Sequence, residues 1–417
     1  MPPCECAWVG SARGGGFGLL WAGQTASVVG GQIGDVSVRL FAATALAATP
    51  LQLGFLSAAQ TIGFLLVALP AGVLADRVRR RPVLITCNLL RAGLLALVPL
   101  LWWLDLLTLP QLLAVVVAAG LAQVVFDVTY QSYVPALVGR AGLVAANGRL
   151  ESTRSTAVAA GPALGGVLSQ ALGAVNAVFL TSIGYLASAF LLSRIRAVEE
   201  RPARPEARSL RGEIAEGLKF VLGNGLLRAT TVAATIFNFS YGMTQPLVIV
   251  LLVRELALTE AAVGAMLALA GAGGLVGALV AGKVADRIGR SRAIWVSELA
   301  CVPAFLLLPL SFPGRGLAFF AVGFFLMHLI LSVFNVSNLS FRQAICPDRL
   351  LGRMNASVRF LMWGALPLGG VAGGALGTAL GTRWALVVAG AGFLFAALVL
   401  LASPLRRLRD LPEAVAA

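Results

Sequence analysis

A carboxylate and a guanidinium, Asp35 and Arg39, stand one helical turn apart in an otherwise apolar stretch, 18–44. Other ionisable side chains interrupt later apolar stretches: Arg91, Asp127, Glu298 and the single histidine, His328. An Asp or Arg at the centre of a bilayer costs about 2.5–3.5 kcal/mol on insertion scales, so each must be paired or must face water. The i,i+4 spacing lets Asp35 and Arg39 neutralise one another. A carboxylate in such surroundings can also take up a proton, and a cationic molecule near it would compete with that proton. Asp35 and Arg39 are therefore the candidate proton-coupling residues. Glu298 is expected to pair with Arg290 or Arg292, and His328 to be packed or in a polar contact.

The elements that must position these groups are membrane spans. The chain has 417 residues, 59% hydrophobic and only 12% charged, too little polar surface to coat a soluble globule of this size. Twelve apolar stretches long enough to cross a bilayer recur, at roughly 18–44, 52–75, 82–104, 110–134, 148–170, 174–195, 227–252, 261–285, 293–311, 316–340, 356–380 and 384–403. The expected fold is all-α: 1–195 as one six-helix bundle, 196–226 as a cytoplasmic linker, 227–417 as a second bundle with a short tail. In the linker, Leu210, Ile214, Leu218 and Val221 recur on one helical face, which predicts an amphipathic helix on the membrane surface.

The formal charge of +14 comes from arginines in short runs between spans, which excludes a nucleic-acid-binding reading. Even-numbered connections carry Arg77, Arg79, Arg80, Arg81, Arg140 and the cluster from Arg194 to Arg228, then Lys283, Arg287, Arg290, Arg292, Arg342, Arg349 and Arg353. Odd-numbered ones carry only Arg254, Arg315 and Arg383. This bias places the even loops and both termini in the cytoplasm. The five cysteines, Cys4, Cys6, Cys87, Cys301 and Cys346, form neither a disulfide framework nor a metal spacing. No cofactor or metal is implied. No HExxH, GxSxG or Walker pattern occurs, so neither an enzyme nor direct ATP drive is expected.

Punctuation repeats between the halves. "AGVLADRVRR" at 71–80 returns as "AGKVADRIGR" at 281–290, and "GPALGG" at 161–166 has a counterpart in "LPLGG" at 366–370. Internal duplication of this kind marks many secondary transporters, whose substrates bind near the midplane. A basic loop alone explains the arginines but not Asp76 and Asp286 at equivalent places. A carboxylate at a helix end beside arginines suggests a charge-assisted latch.

These motifs carry a resemblance. "GVLADRVRRR" at 72–81 resembles the loop 2–3 signature of the major facilitator superfamily, and "AGPALGG" resembles its span-5 antiporter motif. "LWAGQTAS" (20–27), "EIAEGLKFVL" (213–222) and "GRMNASVRFLMWGALPLGG" (352–370) are similar to the macrolide-efflux and enterobactin-exporter branch. The resemblance implies alternating access with a gating role for Gly72, Asp76, Arg77, Arg80 and Arg81, and for Gly282, Asp286, Arg287 and Arg290. It likewise implies antiport packing at Gly161, Pro162, Gly165 and Gly166. Asp127, at the same membrane level as Arg80, is the expected gating partner. One departure stands: 118–135, "AAGLAQVVFDVTYQSYVP", lacks the span-4 arginine common among drug antiporters of the superfamily.

For substrate contact, the polar and aromatic residues of spans 1, 4, 7 and 10 are the candidates: Gln24, Gln32, Gln123, Phe237, Asn238, Tyr241, Gln245, Phe324, Asn335 and Asn338. A mostly apolar wall with a few amides suits a small amphipathic or hydrophobic molecule. The resulting expectation is a monomeric proton-driven exporter of hydrophobic drugs or natural products in a bacterial cytoplasmic membrane. Export of a siderophore or lipid-like metabolite is the alternative, ahead of a scaffold or a membrane enzyme.

Overall fold

The computed structural model describes residues 15–75, 78–196, 218–346 and 351–410; Asp76, Arg77, Leu210, Ile214 and the pair Cys4 and Cys6 lie outside them. Among the described residues there is no strand. The long helices are α1 (Gly15–Thr44), α2 (Pro50–Ala75), α3 (Arg80–Trp103), α6 (Ala174–Ser193), α7 (Gly225–Val250), α8 (Glu260–Ile288), α9 (Arg290–Leu306), α10 (Leu317–Ile345), α11 (Leu351–Leu380) and α12 (Thr382–Ala402). Between α3 and α6, the helical stretch Leu109–Leu172 is broken once, at Gly139 (φ 68°, ψ 169°), into α4 over 109–138 and α5 over 140–172. The positive φ needs glycine, so a single residue makes the corner.

Nine helices among the described residues are long and apolar enough to cross a membrane by composition. The others are α1, α5 and α9. They carry the polar residues: Asp35 and Arg39 in α1, Glu151 and Arg154 in α5, Glu298 in α9. A helix satisfies its own backbone in lipid, so polar side chains are tolerated if protein or water receives them.

The chain forms two compact units, residues 1–41 with 62–206 and residues 42–61 with 207–417. The expected division ran 1–195, 196–226 and 227–417; by contact, residues 42–61 group with the later helices. In the first unit α3 packs on α4–α5 and α6. Its core joins Phe17, Leu20, Leu84, Phe126, Tyr133, Val134 and Leu192. Helix α4 starts with a capping box, Thr108 N donating to Gln111 Oε1 at 2.8 Å, which ties the helix's free N–H groups. Helix α6 ends under Arg81, whose Nε donates to Leu192 O at 3.0 Å and whose Nη2 donates to Ser193 O. A cation at the negative end of a helix satisfies carbonyls that have no intrahelical donor.

In the second unit the strongest packing is α11 on α7 and α10 on α8. Glycine makes both possible. A methyl group at Gly369 or Gly373 would overlap the α7 backbone at Phe239 and Met243, and one at Gly273 or Gly277 would overlap α10 at Phe325 and Leu329. Small residues at such spacing let helices in lipid approach to backbone contact. The opposite side of α11 meets 50–58: Gly374 packs on Pro50 and Leu51, Gly370 on Gly54 and Ser57, and Leu51 N donates to Thr378 Oγ1 at 3.2 Å. A π-helical turn, Leu251–Glu255, ends α7. From it Arg254 Nη2 donates to Ala48 O at 2.7 Å, and Glu255 pairs with Arg383 at 2.7 Å.

The described end of the expected surface helix behaves differently from a surface element. Val221 is fully buried in a cluster with Leu227, Cys346, Met354 and Val358. At Val221 the apolar side chain is thus received by the second unit's own core.

Candidate functional site

Helix α1 is held on two sides by glycine contacts. Towards α6, a Cβ at Gly34 would meet Thr181 Cγ2 and Oγ1 at 2.8 Å, one at Gly30 would meet Thr181 O at 3.4 Å, and one at Gly31 would meet Tyr185 Oη at 3.1 Å. Towards α5, Gly161 lies flush against Gln32, and a Cβ at Gly165 would meet Ile33 O and Val36 Cβ at 3.2 Å. Ser37 and Ser169 join the same two helices by a hydrogen bond of 3.0 Å. The span-5 glycines thus seat α5 on the turn of α1 that carries Asp35. Pro162 and Gly166 complete that stretch, Gly166 buried and Pro162 half-buried.

Asp35 is exposed, whereas Ile33, Gly34, Val36, Ser37 and Val38 around it are buried. The charges of Arg39 and Arg91 both act on it. Arg91, on α3, is only 4% exposed. Its guanidinium carbon lies 3.7 Å from the centre of the Tyr185 ring and 5.8 Å from that of Phe126. Its Nη1 donates to Asn88 Oδ1 at 3.4 Å, and Asn88 Nδ2 donates to Ser188 Oγ at 2.9 Å. A guanidinium remains protonated in a protein, so Arg91 is a fixed charge. Stacking on aromatic faces holds it where water cannot. On α4, Gln123 Nε2 donates to Asp127 Oδ1 at 2.7 Å, and the charge of Asp127 also reaches Tyr185.

The first unit therefore brings two carboxylates, Asp35 and Asp127, and the guanidinium of Arg91 to act on Tyr185, with a second guanidinium, Arg39, acting on Asp35. The members come from α1, α3, α4 and α6. The fixed charges balance only while both carboxylates are ionised. Loss of the Asp35 charge, by protonation, leaves the cluster one unit positive, a state that repels a cation. Proton and cation are then alternatives at one accessible carboxylate.

The candidate lining residues divide by burial. Gln24, Gln32, Gln123, Asn238, Tyr241 and Gln245 are half-buried, and Asn335 is exposed. Phe237, 4% exposed, stacks with Tyr241 and Phe334 and packs on Phe393, while Phe324, also buried, packs on Phe320 and His328. Asn338 is buried as well. These three belong to the second unit's interior rather than to an open wall. Asn238 Nδ2 donates to Ala234 O at 2.8 Å, within its own helix. His328 forms the polar contact expected of it: its Nδ1 faces Phe324 O at 2.8 Å, so it carries the hydrogen, and Nε2 accepts from Tyr241 Oη at 3.3 Å. Tyr241 is the half-buried, accessible tip of this aromatic stack.

The repeated loop residues are placed unevenly. Gly72 lies in the last turn of α2, Arg80 is half-buried at the start of α3, and Arg81 caps α6. In the second copy, Gly282, Asp286, Arg287 and Arg290 are exposed. The turn between α8 and α9 is clasped by the C-terminal segment: Arg290 N donates to Asp410 Oδ1 at 3.3 Å, and Ser291 N donates to Arg409 O at 3.1 Å. Glu298 corrects its expected pairing. It is 1% exposed, and neither carboxylate oxygen has a hydrogen-bond partner among the described residues.

The Gly161 contact is testable. Gly161→Val should force α5 from Gln32 and lower transport at least tenfold, with the purified protein still monodisperse, because overpacking typically costs about 1–3 kcal/mol. Unchanged transport by Gly161→Val would show that this contact does not set the position of Asp35.

Comparison with known proteins now places the chain. The profile of a family described as transmembrane secretion effector matches residues 10–415. The multidrug efflux pump Tap of Mycobacterium tuberculosis (strain ATCC 25618 / H37Rv) is 30% identical over 278 residues, which is 62% of this chain and 64% of that pump. The match thus spans just under two thirds of that relative's length. The Tap pump of Mycolicibacterium fortuitum is 27% identical over 338 residues, 78% of this chain and 80% of the pump. Among solved structures, the nucleoside transporter NupG is similar with a TM-score of 0.77 at 12% identity, over 93% of this chain and 98% of that one. A bacterial homologue of the iron transporter ferroportin, in its inward-facing state, has a TM-score of 0.72 at 18% identity, over 92% and 97%. At these identities the likeness is one of fold, the twelve-helix architecture of major facilitator transporters. The chain belongs to the transmembrane secretion effector family of the major facilitator superfamily.

Proposed function

We propose that the protein is a secondary exporter that expels hydrophobic or amphipathic, preferably cationic, drugs or natural products in exchange for protons. The observation that carries this reading is an accessible carboxylate, Asp35, within reach of the fixed charge of buried Arg91. Similarity to a multidrug efflux pump supports the substrate class. In the first unit Gln24, Gln32 and Gln123 are the polar contacts proposed for the substrate; in the second, Tyr241 and Gln245 are proposed likewise, with flat apolar surface from the stack that Tyr241 joins. Alternating access would let Asp35 load a proton on one side and substrate on the other.

The test is an accumulation panel of cationic, neutral and anionic dyes and a siderophore, in an efflux-deficient host with and without an uncoupler. Cationic dyes should be extruded, and the uncoupler should abolish extrusion. Extrusion that persists with the uncoupler, or that is confined to the siderophore, contradicts the reading.

The site of action proposed is a bacterial cytoplasmic membrane with both termini inside, on the arginine bias of the loops. Single cysteines at Arg204 and Arg383, in a background lacking the native cysteines, should be labelled by an impermeant maleimide from opposite sides. Labelling of both from one side would overturn this topology.

A further inference from the structure

Resting on the reading of proton-driven export, we propose that Glu298 is a second proton-carrying site, located in the second unit and distinct from Asp35. Glu298 occupies the middle of the buried face of α9. Ile294, Cys301, Val302 and Phe305, at i−4, i+3, i+4 and i+7, line the same face and are all buried. Both carboxylate oxygens lie within protein, and neither has a hydrogen-bond partner among the described residues. An ionised carboxylate left so is among the most costly arrangements in a protein interior. The group is therefore held here as the neutral acid.

Among the described residues its surroundings offer no counter-charge. On α9 the nearest titratable neighbour is Cys301, a thiol with no cation to offer, and Arg290 and Arg292 stand two turns away at the helix start. On α10, His328 is engaged with Tyr241 and Phe324 O, and Arg342, one turn beyond Asn338, donates to Met362 Sδ rather than to Glu298. On α8, Lys283, Asp286 and Arg287 are exposed. On α12 the only charged residue, Arg383, is bound to Glu255, and Arg406 and Arg407 of the turn Pro404–Arg407 are exposed.

A purely structural role would be better filled by an apolar residue, because α9 is already short of apolar length. Other buried polar atoms without a partner among the described residues lie on the same two helices: Trp295 Nε1 on α9, and Ser337 Oγ and Asn338 Oδ1 on α10. Ser337 and Asn338 share a helical face with Phe334 and Phe341, which pack against Ile294. Buried polar groups nearly always have partners, so this face suits a state in which α9 and α10 admit water. In that state the Glu298 O–H bond breaks, its proton passes to water, and the carboxylate is hydrated. The reverse step reloads it. No other reactant is required.

The experiment is steady-state accumulation of a cationic dye by the purified full chain in proteoliposomes, with an imposed pH gradient and the membrane potential clamped at zero by valinomycin. Each proton exchanged per substrate multiplies the attainable gradient by ten per pH unit. Glu298→Gln keeps the shape of the neutral acid and should fold and bind dye as wild type does. It should nonetheless accumulate about tenfold less dye at a gradient of one pH unit. Accumulation equal to wild type overturns the proposal. Failure of wild type itself to accumulate dye would instead sink the export reading. Should Glu298→Gln not fold, wild-type labelling by dicyclohexylcarbodiimide decides. The carboxylic O–H adds across the carbodiimide to give an O-acylisourea at Glu298, and labelling should rise with dye turnover. Glu298 labelled equally with and without turnover, or not at all, overturns the proposal.

Discussion

Asp35→Asn is expected to abolish uphill, pH-dependent efflux and to weaken binding of a cationic substrate, while a neutral substrate still binds within about threefold of wild type. Asparagine keeps the size of the side chain and its place on the turn seated by Gly161 and Gly165. It removes the negative charge that balances Arg91 and the site at which a proton and a cationic substrate exclude each other. The fixed cluster then stays one unit positive throughout the cycle, and a pH gradient acting on Glu298 alone finds no group at which proton and substrate exclude each other. Coupling is lost because linkage requires two ligands whose binding at one group is mutually exclusive. Downhill exchange of substrate should survive. Full proton-driven efflux by Asp35→Asn in proteoliposomes would place coupling elsewhere in the chain.

Arg91→Met should have the second-largest effect, and on stability as well as transport. The guanidinium is 3.7 Å from the Tyr185 ring centre and is tied through Asn88 to Ser188 on α6. A desolvated cation–π contact is worth about 2 kcal/mol or more, so detergent-purified Arg91→Met should unfold at lower denaturant by about that amount. Arg91→Lys should recover only part of the loss, because an ammonium cannot lie flat on the ring. Asp35 in Arg91→Met is left with Arg39 alone, and transport should fall at least tenfold. The double variant Asp35→Asn/Arg91→Met restores charge balance and should be more stable than Arg91→Met, yet uncoupled. Equal stability of Arg91→Met and wild type, read by denaturant midpoint, would show that Arg91 does not hold α3 to α6.

The spans, and the presence of a carboxylate within α1, were legible because both are local. Apolar length marks a helix in lipid, and an ion within it stands out. The corner between α4 and α5 was harder. "PALVGRAGLVAANGR" at 135–149 has the composition of a loop, yet it is helical except at Gly139. Arg91 was visible as a costly ion, but its partners are Tyr185 and Phe126, 94 and 35 positions away. No spacing rule connects them. Phe237 and Phe324 show the same limit in reverse. An aromatic residue at helical spacing suits a cavity wall or a core equally, and here stacking on Phe334, Phe393 and Phe320 decides for the core. Glu298 looked like the partner of nearby arginines. Its position on the buried face of α9, two turns from Arg290, prevents that.

The central claim is that proton and cationic substrate compete for Asp35. The most direct measurement is proton release when substrate binds to the purified protein in weakly buffered detergent solution, followed with a pH indicator. Wild type at a pH where the carboxyl is protonated should release close to one proton per substrate bound, since the buried proton of Glu298 moves only with the transport cycle. Asp35→Asn, given enough substrate to fill its weakened site, should release none. Release by Asp35→Asn equal to that of wild type would contradict the account.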